Sequence, residues 1–289
     1  NQDALETKPV CSMRHQAPVL CTCFRSDGQT LFSGSCDHAV KMWDLNSASE
    51  QSVNVAAHDA PIKCIHWIGE SGILITGSWD KTLKYWDTRQ KKAVTTVHLP
   101  ERCYCMDVNY PLMVVATADR YVLIYDARSP EKPIRDISSP LKFQSRCIAC
   151  FPDNKGFALG SIEGRVSIHH VDTAMNEKNF AFKCHRKDNK IYSVNAISFH
   201  QKYSTFSTAG SDGVFNFWDK DAKQRLKTFS AMAAPISASV FNNTGDIFAY
   251  AVSYDWSMGH KYFETMKGSQ IFLHKVANTD IAPRRPRPR

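Results

Sequence analysis

The residues in this sequence best placed to do chemistry are histidines paired at long range with acids and hydroxyls. His15, Ser33, Asp37 and Trp43 recur as His58, Thr76, Asp80 and Trp86, and in both sets the histidine stands 22 residues before the acid. His185, Thr208, Asp212 and Trp218 make a third set. Histidine, acid and hydroxyl together are the parts of a nucleophilic site. Here, however, the hydroxyl always lies four residues before the acid and an indole six after it. Such a set satisfies buried polar groups and pins a loop over a turn, so these residues are expected to be structural. No GxSxG, GxGxxG, P-loop or HExxH motif occurs, and adjacent His169 and His170 read as core and edge residues. The only CxxC is Cys147–Cys150, with no partner motif at zinc spacing, so no metal or cofactor is expected.

The elements that hold these sets repeat. Five segments align without gaps: GSCDHAVKMWD (34–44), GSWDKTLKYWD (77–87), ATADRYVLIYD (116–126), GSIEGRVSIHH (160–170) and AGSDGVFNFWD (209–219). Each places an acidic residue six before an aromatic or histidine, and those ring positions step by 43, 39, 44 and 49 residues. A sixth, degenerate copy spans 248–276, with an insertion after Asp255. Each copy reads as strand, turn, strand: Leu83 and Tyr85 alternate with Lys84 and Trp86. A period in the low forties ending in Trp-Asp predicts an all-β fold of WD-repeat β-propeller blades, with almost no helix. Val115 and Leu159 replace the hydroxyl in two copies, whose turns are expected to be held by packing.

The chain has 289 residues, 43% hydrophobic and 22% charged, with a net charge of +8. That composition excludes disorder over most of its length. No run approaches the ~18 apolar residues of a membrane span, and the first residues lack the layout of a signal peptide. Ten cysteines then argue for free thiols in a reducing compartment, most of them small buried hydrophobes. Residues 1–276 read as one propeller domain and 277–289 as a Pro/Arg-rich disordered tail.

Longer stretches carry a resemblance. AHDAPIKCIHWI (57–68), LPERCYCMDVNYP (99–111), FALGSIEGRVSIHH (157–170), FAFKCHR (180–186), FWDKDAKQRLKT (217–228) and IFAYAVSYDWSMGH (247–260) resemble the WD-repeat family of nuclear mRNA export factors. SIEGRV and FKCHR are shared with its sister family, the WD-repeat adaptors of the mitotic spindle checkpoint, which is the alternative reading. The resemblance implies a non-enzymatic scaffold at the nuclear pore that binds the acidic GLEBS motif of a nucleoporin and shuttles to the cytoplasm. It also implies a spindle role with checkpoint proteins, and no small-molecule substrate. The family has seven blades, whereas residues 1–14 match only the run-in to its second blade, so the chain reads as a fragment or a truncated paralogue. A vacant slot is expected in preference to closure by pairing 8–13 with 270–275, because close-packed blade interfaces resist repacking.

Two surfaces are expected to bind. Trp79 and Lys81 sit in one turn after a second strand, Arg165 beside another, and Lys183 and Arg186 in the loop before an inner strand. An aromatic anchor among cations suits an acidic peptide, and the resemblance implies that paired glutamates of the motif meet Arg165 and Lys183. On the second, Lys220, Lys223 and Arg225 follow Trp218 closely, and clustered cations beside exposed aromatics suit single-stranded RNA; the resemblance implies an edge groove for nucleic acid at Phe182, Trp218, Asp219 and Lys223.

Overall fold

Short alternating runs punctuated by Asp, Gly and Asn turns form antiparallel strands. A computed structural model describes residues 12–47, 51–263 and 268–284. The fold is all-β, with six antiparallel blades and one two-stranded hairpin. Two compact units divide the chain, 1–137 and 138–289, with three blades each.

In the first unit, blade 1 comprises β1 (Val19–Phe24), β2 (Thr30–Ser35), β3 (Ala39–Asp44) and β4 (Ser52–Ala57). Blade 2 comprises β5 (Ile62–Ile68), β6 (Ile73–Ser78), β7 (Thr82–Asp87) and β8 (Thr95–His98). Blade 3 comprises β9 (Cys103–Asn109), β10 (Leu112–Thr117), β11 (Tyr121–Asp126) and β12 (Arg135–Ser138). The second unit opens with blade 4: β13 (Ser145–Cys150), β14 (Gly156–Ser161), β15 (Arg165–His170) and β16 (Phe180–Lys183). The hairpin β17 (Arg186–Lys187) and β18 (Lys190–Ile191) leads to blade 5: β19 (Val194–Phe199), β20 (Phe206–Gly210), β21 (Phe215–Asp219) and β22 (Gln224–Thr228). Blade 6 has β23 (Ile236–Phe241), β24 (Ile247–Val252) and β25 (Gln270–Lys275), and a helical turn, α1 (Asn278–Ile281), follows.

Alternation along the third strand of a blade serves two cores at once. Leu83 and Tyr85 of β7 pack with Met113, Val115 and Tyr125 of blade 3, while Trp86 packs with Phe32 and Val40 of blade 1. The first strand of every blade carries a bulge at the same place. Just beyond it, Cys21, Cys64, Cys105, Cys147, Ala196 and Ala238 each face a glycine or alanine of the second strand. At Gly34 and Gly160 the facing thiol fills space that a methyl group would need: a Cβ on Gly160 would stand 2.6 Å from Cys147 Sγ and 3.0 Å from Val194. Replacing Gly160 with alanine is therefore expected to cost about 1–3 kcal/mol of stability by overpacking, as read from urea denaturation midpoints.

Two sequence expectations change. Lys183 ends the outer strand β16 instead of lying in a loop, because Phe180 and Phe182 turn inward to the core between blades 4 and 5. The residues after 276 include an ordered segment: Asp280 and Ile281 of α1 are buried, Ile281 among the blade 5 and blade 6 side chains. Lys227 Nζ lies 2.7 Å from Asp280, and Arg284 donates to the Leu226 carbonyl at 2.7 Å, so that arginine is engaged by the fold. Of the pairing weighed between 8–13 and 270–275, residues 8–11 lie outside the described residues; Ser12 and Met13 belong to no strand, and among the described residues β25 pairs with β24 alone.

Candidate functional site

The three histidine sets are assembled around single hydroxyls. His58 Nδ1 lies 2.7 Å from Asp80 Oδ2, its Nε2 lies 2.6 Å from Thr76 Oγ1, and Trp86 Nε1 donates to that oxygen at 2.8 Å. His15 makes the same contacts with Asp37 at 2.8 Å and Ser33 at 2.7 Å, and Trp43 donates to Ser33 at 2.7 Å. His185 reaches Asp212 at 2.9 Å and Thr208 at 2.9 Å, with Trp218 on Thr208 at 2.9 Å. In each set the hydroxyl accepts an indole proton, and the histidine and indole are buried. Nothing here presents a nucleophile to a substrate.

Burial holds the His58 imidazole below its ordinary range in spite of Asp80, and burial does the same to His200 and His274. A folded-state value below the unfolded one means that the unfolded chain binds more protons as pH falls past about 6.5. Stability is then complete above that pH and lost below it. The melting temperature is expected to drop between pH 7.5 and 5.5, and a flat or rising profile by calorimetry would contradict this.

The residue after the turn acid is left-handed in five blades: His38, Lys81, Arg120, Gly164 and Gly213, with φ between 63° and 73°. This bend aims the Lys81 side chain out of its turn, where its ammonium meets Glu101. That contact, foremost, and Arg102 nearby hold the Glu101 carboxyl below its usual value. Trp79 in the same turn is half-buried, and its indole N–H is buried without an acceptor among the described residues.

In the second unit, Arg165 and Lys183 are direct register partners across β15 and β16. Like charges opposed in this way repel. Glu163 is the local counter-charge, with Oε2 3.5 Å from Arg165 Nε and 3.9 Å from an Arg186 nitrogen. Arg186 also donates to the Glu163 carbonyl at 2.8 Å. Two cations, Arg165 and Arg186, thus share one carboxylate, and Lys183 is exposed with no ion pair among the described residues. Arg186 itself opens the β17–β18 hairpin, whose tip residues Asp188 and Asn189 are both left-handed.

The second sequence-read surface is also brought together. Phe180, Phe182, Phe206, Trp218, Lys220 and Lys223 line a cavity of about 130 Å³. Its aromatics are not the open platform expected from the sequence. Trp218 is only 9% exposed, because its ring packs 4.7 Å from Phe182 under the Arg225 guanidinium at 5.9 Å. Asp219 is buried as a turn cap that accepts the Asp221 and Ala222 backbone N–H groups. Lys220 is buried over Phe151 and bound to Asp221. Lys223, over the Phe180 ring, and Arg225 are the members that face solvent.

Comparison with known proteins follows the same architecture. The WD domain, G-beta repeat, matches residues 7–44, 50–87 and 176–219. Protein RAE1 of Arabidopsis thaliana is 55% identical over 279 residues, covering 96% of this chain and 80% of that protein. The mRNA export factor of Xenopus tropicalis is 48% identical over 297 residues, and that of Sus scrofa 49%, each with 98% of this chain and 80% of the relative covered. Six blades, repeats ending in Trp-Asp and identity of this extent over nearly the whole chain place it in the WD-repeat mRNA export factor family.

Proposed function

We propose that the chain acts in mRNA export as a non-enzymatic WD-repeat scaffold that binds an acidic peptide, the GLEBS-type segment of a nucleoporin. The observation that carries this reading is the in-register pair Arg165 and Lys183, with Arg165 and Arg186 sharing the single carboxylate of Glu163 and Lys183 left without an ion pair among the described residues. A stable fold gains nothing from opposing two cations in register, whereas a pair of incoming carboxylates would neutralise both. Trp79 and Lys81 of the first unit offer the same kinds of group, but Lys81 is already engaged by Glu101, which an acidic ligand would have to displace. Such a scaffold works in the nucleus and at the nuclear envelope, moves to the cytoplasm with its cargo, and reaches the spindle in mitosis.

Titration calorimetry with the nucleoporin segment tests the reading. Binding should weaken as salt rises, and tighter binding of a checkpoint-kinase segment would move the chain to the spindle-checkpoint alternative. A second reading, contact with single-stranded RNA, rests on Lys183 and Lys223 at the mouth of the aromatic cavity. With Trp218 buried, that contact would be to phosphates, not by base stacking. Charge reversal at Lys223 and Arg225 is expected to lower RNA affinity and to flatten its log–log salt dependence by about 0.7 per lost contact. Salt-insensitive binding would remove the RNA reading.

A further inference from the structure

The dipeptide Ser-Pro occurs twice in the chain, as Ser129-Pro130-Glu131-Lys132 and Ser139-Pro140-Leu141-Lys142, and both copies carry lysine three residues after the serine. Proline removes a backbone N–H and fixes φ, and the lysine adds a cation at a set distance. A serine with proline next to it and a cation at this spacing is what a proline-directed kinase reads. The fold treats the two copies in opposite ways.

Ser139 is closed off. It is 5% exposed, and its Oγ accepts the Leu141 N–H at 3.2 Å, while Leu141 is itself 2% exposed. Bringing that hydroxyl to an enzyme would draw Leu141 out of the core. Ser129 lies instead in the turn between β11 and β12 of blade 3, where Arg128 to Ile134 are exposed except for half-buried Pro130. The turn is pinned at its ends. The Ser129 N–H donates to the Asp126 carbonyl at 3.0 Å and the Ile134 N–H to the Ile124 carbonyl at 2.7 Å, and 130–133 make no backbone hydrogen bond among the described residues. Ser129 and Lys132 each precede a proline, which biases both towards the extended backbone that a kinase cleft needs.

Nothing in the fold requires serine at 129. Blade 2 builds the same turn with glutamine: the Gln90 N–H donates to the Asp87 carbonyl at 2.8 Å, and the Val94 N–H closes on the Tyr85 carbonyl at 2.7 Å. Arg89 clasps Asp87 as Arg128 clasps Asp126, each through Nε at 2.8 Å. The blade 3 turn differs in being one residue longer and in carrying Pro130 and Pro133. Ser129 Oγ donates to Glu131 Oε2 at 3.2 Å, and both residues are exposed. A kinase's catalytic aspartate accepts the same proton from its substrate hydroxyl, so it can take the place of Glu131.

We propose that Ser129 is a phosphorylation site, modified by a proline-directed kinase that reads Pro130 and Lys132. Ser129 Oγ attacks the γ-phosphorus of ATP, the bond from that phosphorus to the ADP oxygen breaks, and the hydroxyl proton passes to the catalytic aspartate of the kinase. The phosphate brings a charge of about −1.5 to −2. Glu131 must then turn away from it, while Arg128 stays clasped to Asp126, whose carboxyl it holds down to about 2. Lys132, exposed and without an ion pair among the described residues, is the cation left to meet the phosphate. Modification thus changes what the turn displays without disturbing the packed strands on either side of it.

The test is incubation of the full chain with ATP and a cyclin-dependent kinase, read by mass spectrometry of its peptides. One phosphate should appear, on Ser129. Ser129→Ala should abolish labelling, and Ser139→Ala should leave it unchanged although the local sequence is equivalent. Pro130→Ala should slow labelling at least tenfold and Lys132→Ala at least fivefold. Circular dichroism checks that each variant is folded, so that Ser139 stays buried. A wild type that takes no phosphate, a label that survives Ser129→Ala, or a rate indifferent to Pro130→Ala would overturn the proposal.

Discussion

Reversing the charge at Arg165 or Lys183 is expected to weaken binding of the acidic nucleoporin segment at least ~30-fold, equivalent to about 2 kcal/mol. The loss has two parts, the missing attraction and a peptide carboxylate left facing another carboxylate. The register adds a sign that separates binding from folding. Lys183 stands directly opposite Arg165, so Lys183→Glu replaces a repelling pair with an attracting one. Opposite-charge pairs across strands contribute roughly 0.2–1 kcal/mol, so this variant should be as stable as the wild type or slightly more so while it binds poorly. Arg165→Glu gains less, because the new carboxylate lies close to Glu163. Thermal melts alongside calorimetry check both signs; a Lys183→Glu protein that binds normally, or that loses affinity only by unfolding, would remove this site.

Thr76→Val is expected to cost about 3 kcal/mol of stability although valine matches threonine in shape. The hydroxyl serves both His58 Nε2 and Trp86 Nε1, and all three groups are buried. Each buried polar group left unsatisfied costs about 1–3 kcal/mol, and one substitution strands two. Blade 3 shows the alternative: fully buried Val115 occupies the equivalent place in a core with Tyr125. The penalty thus belongs to the stranded partners and not to valine. Thr76→Ser should restore most of the stability, and adding Trp86→Phe to Thr76→Val should cost less than the two single changes together. Urea denaturation of the four proteins reads the coupling, and strict additivity would show that the hydroxyl does not join the set.

The blades were legible because their signal is local and repeated: turn acid, alternating strand and closing indole lie within eleven residues in GSWDKTLKYWD. The sets were legible because their spacing recurs. What was missed depends on neighbours distant in the chain. Nothing near Trp218 in sequence shows that Phe182 will close over it. Asp255 looked like the acid of a degenerate copy, yet its partners are Ser211 and Asn195 of blade 5, with no histidine. The docked turn after 276 was hidden by the Pro/Arg-rich composition that follows it, although Asp280 and Ile281 are its anchors. One omission had a readable signal: Asp188-Asn189, flanked by short polar strands, is a two-residue hairpin turn of the left-handed kind.

The left-handed residue that follows each turn acid separates what a turn must do from what its surface can say. At His38, Lys81 and Arg120 the backbone bears the strain, and the side chain beyond Cβ has no part in making the bend. Those three places accept imidazole, ammonium and guanidinium with the same φ, so the charge displayed there can be rewritten by single codon changes while the scaffold stays intact. Gly164 and Gly213 lack that freedom. A Cβ at Gly164 would come within 2.5 Å of the His185 carbonyl, and one at Gly213 within 2.7 Å of the Met232 carbonyl. Drift among relatives should therefore concentrate at the first three turns. The turn beside Arg165 is held to glycine by its own backbone, so its cations are inherited on a part of the chain that cannot readily be varied.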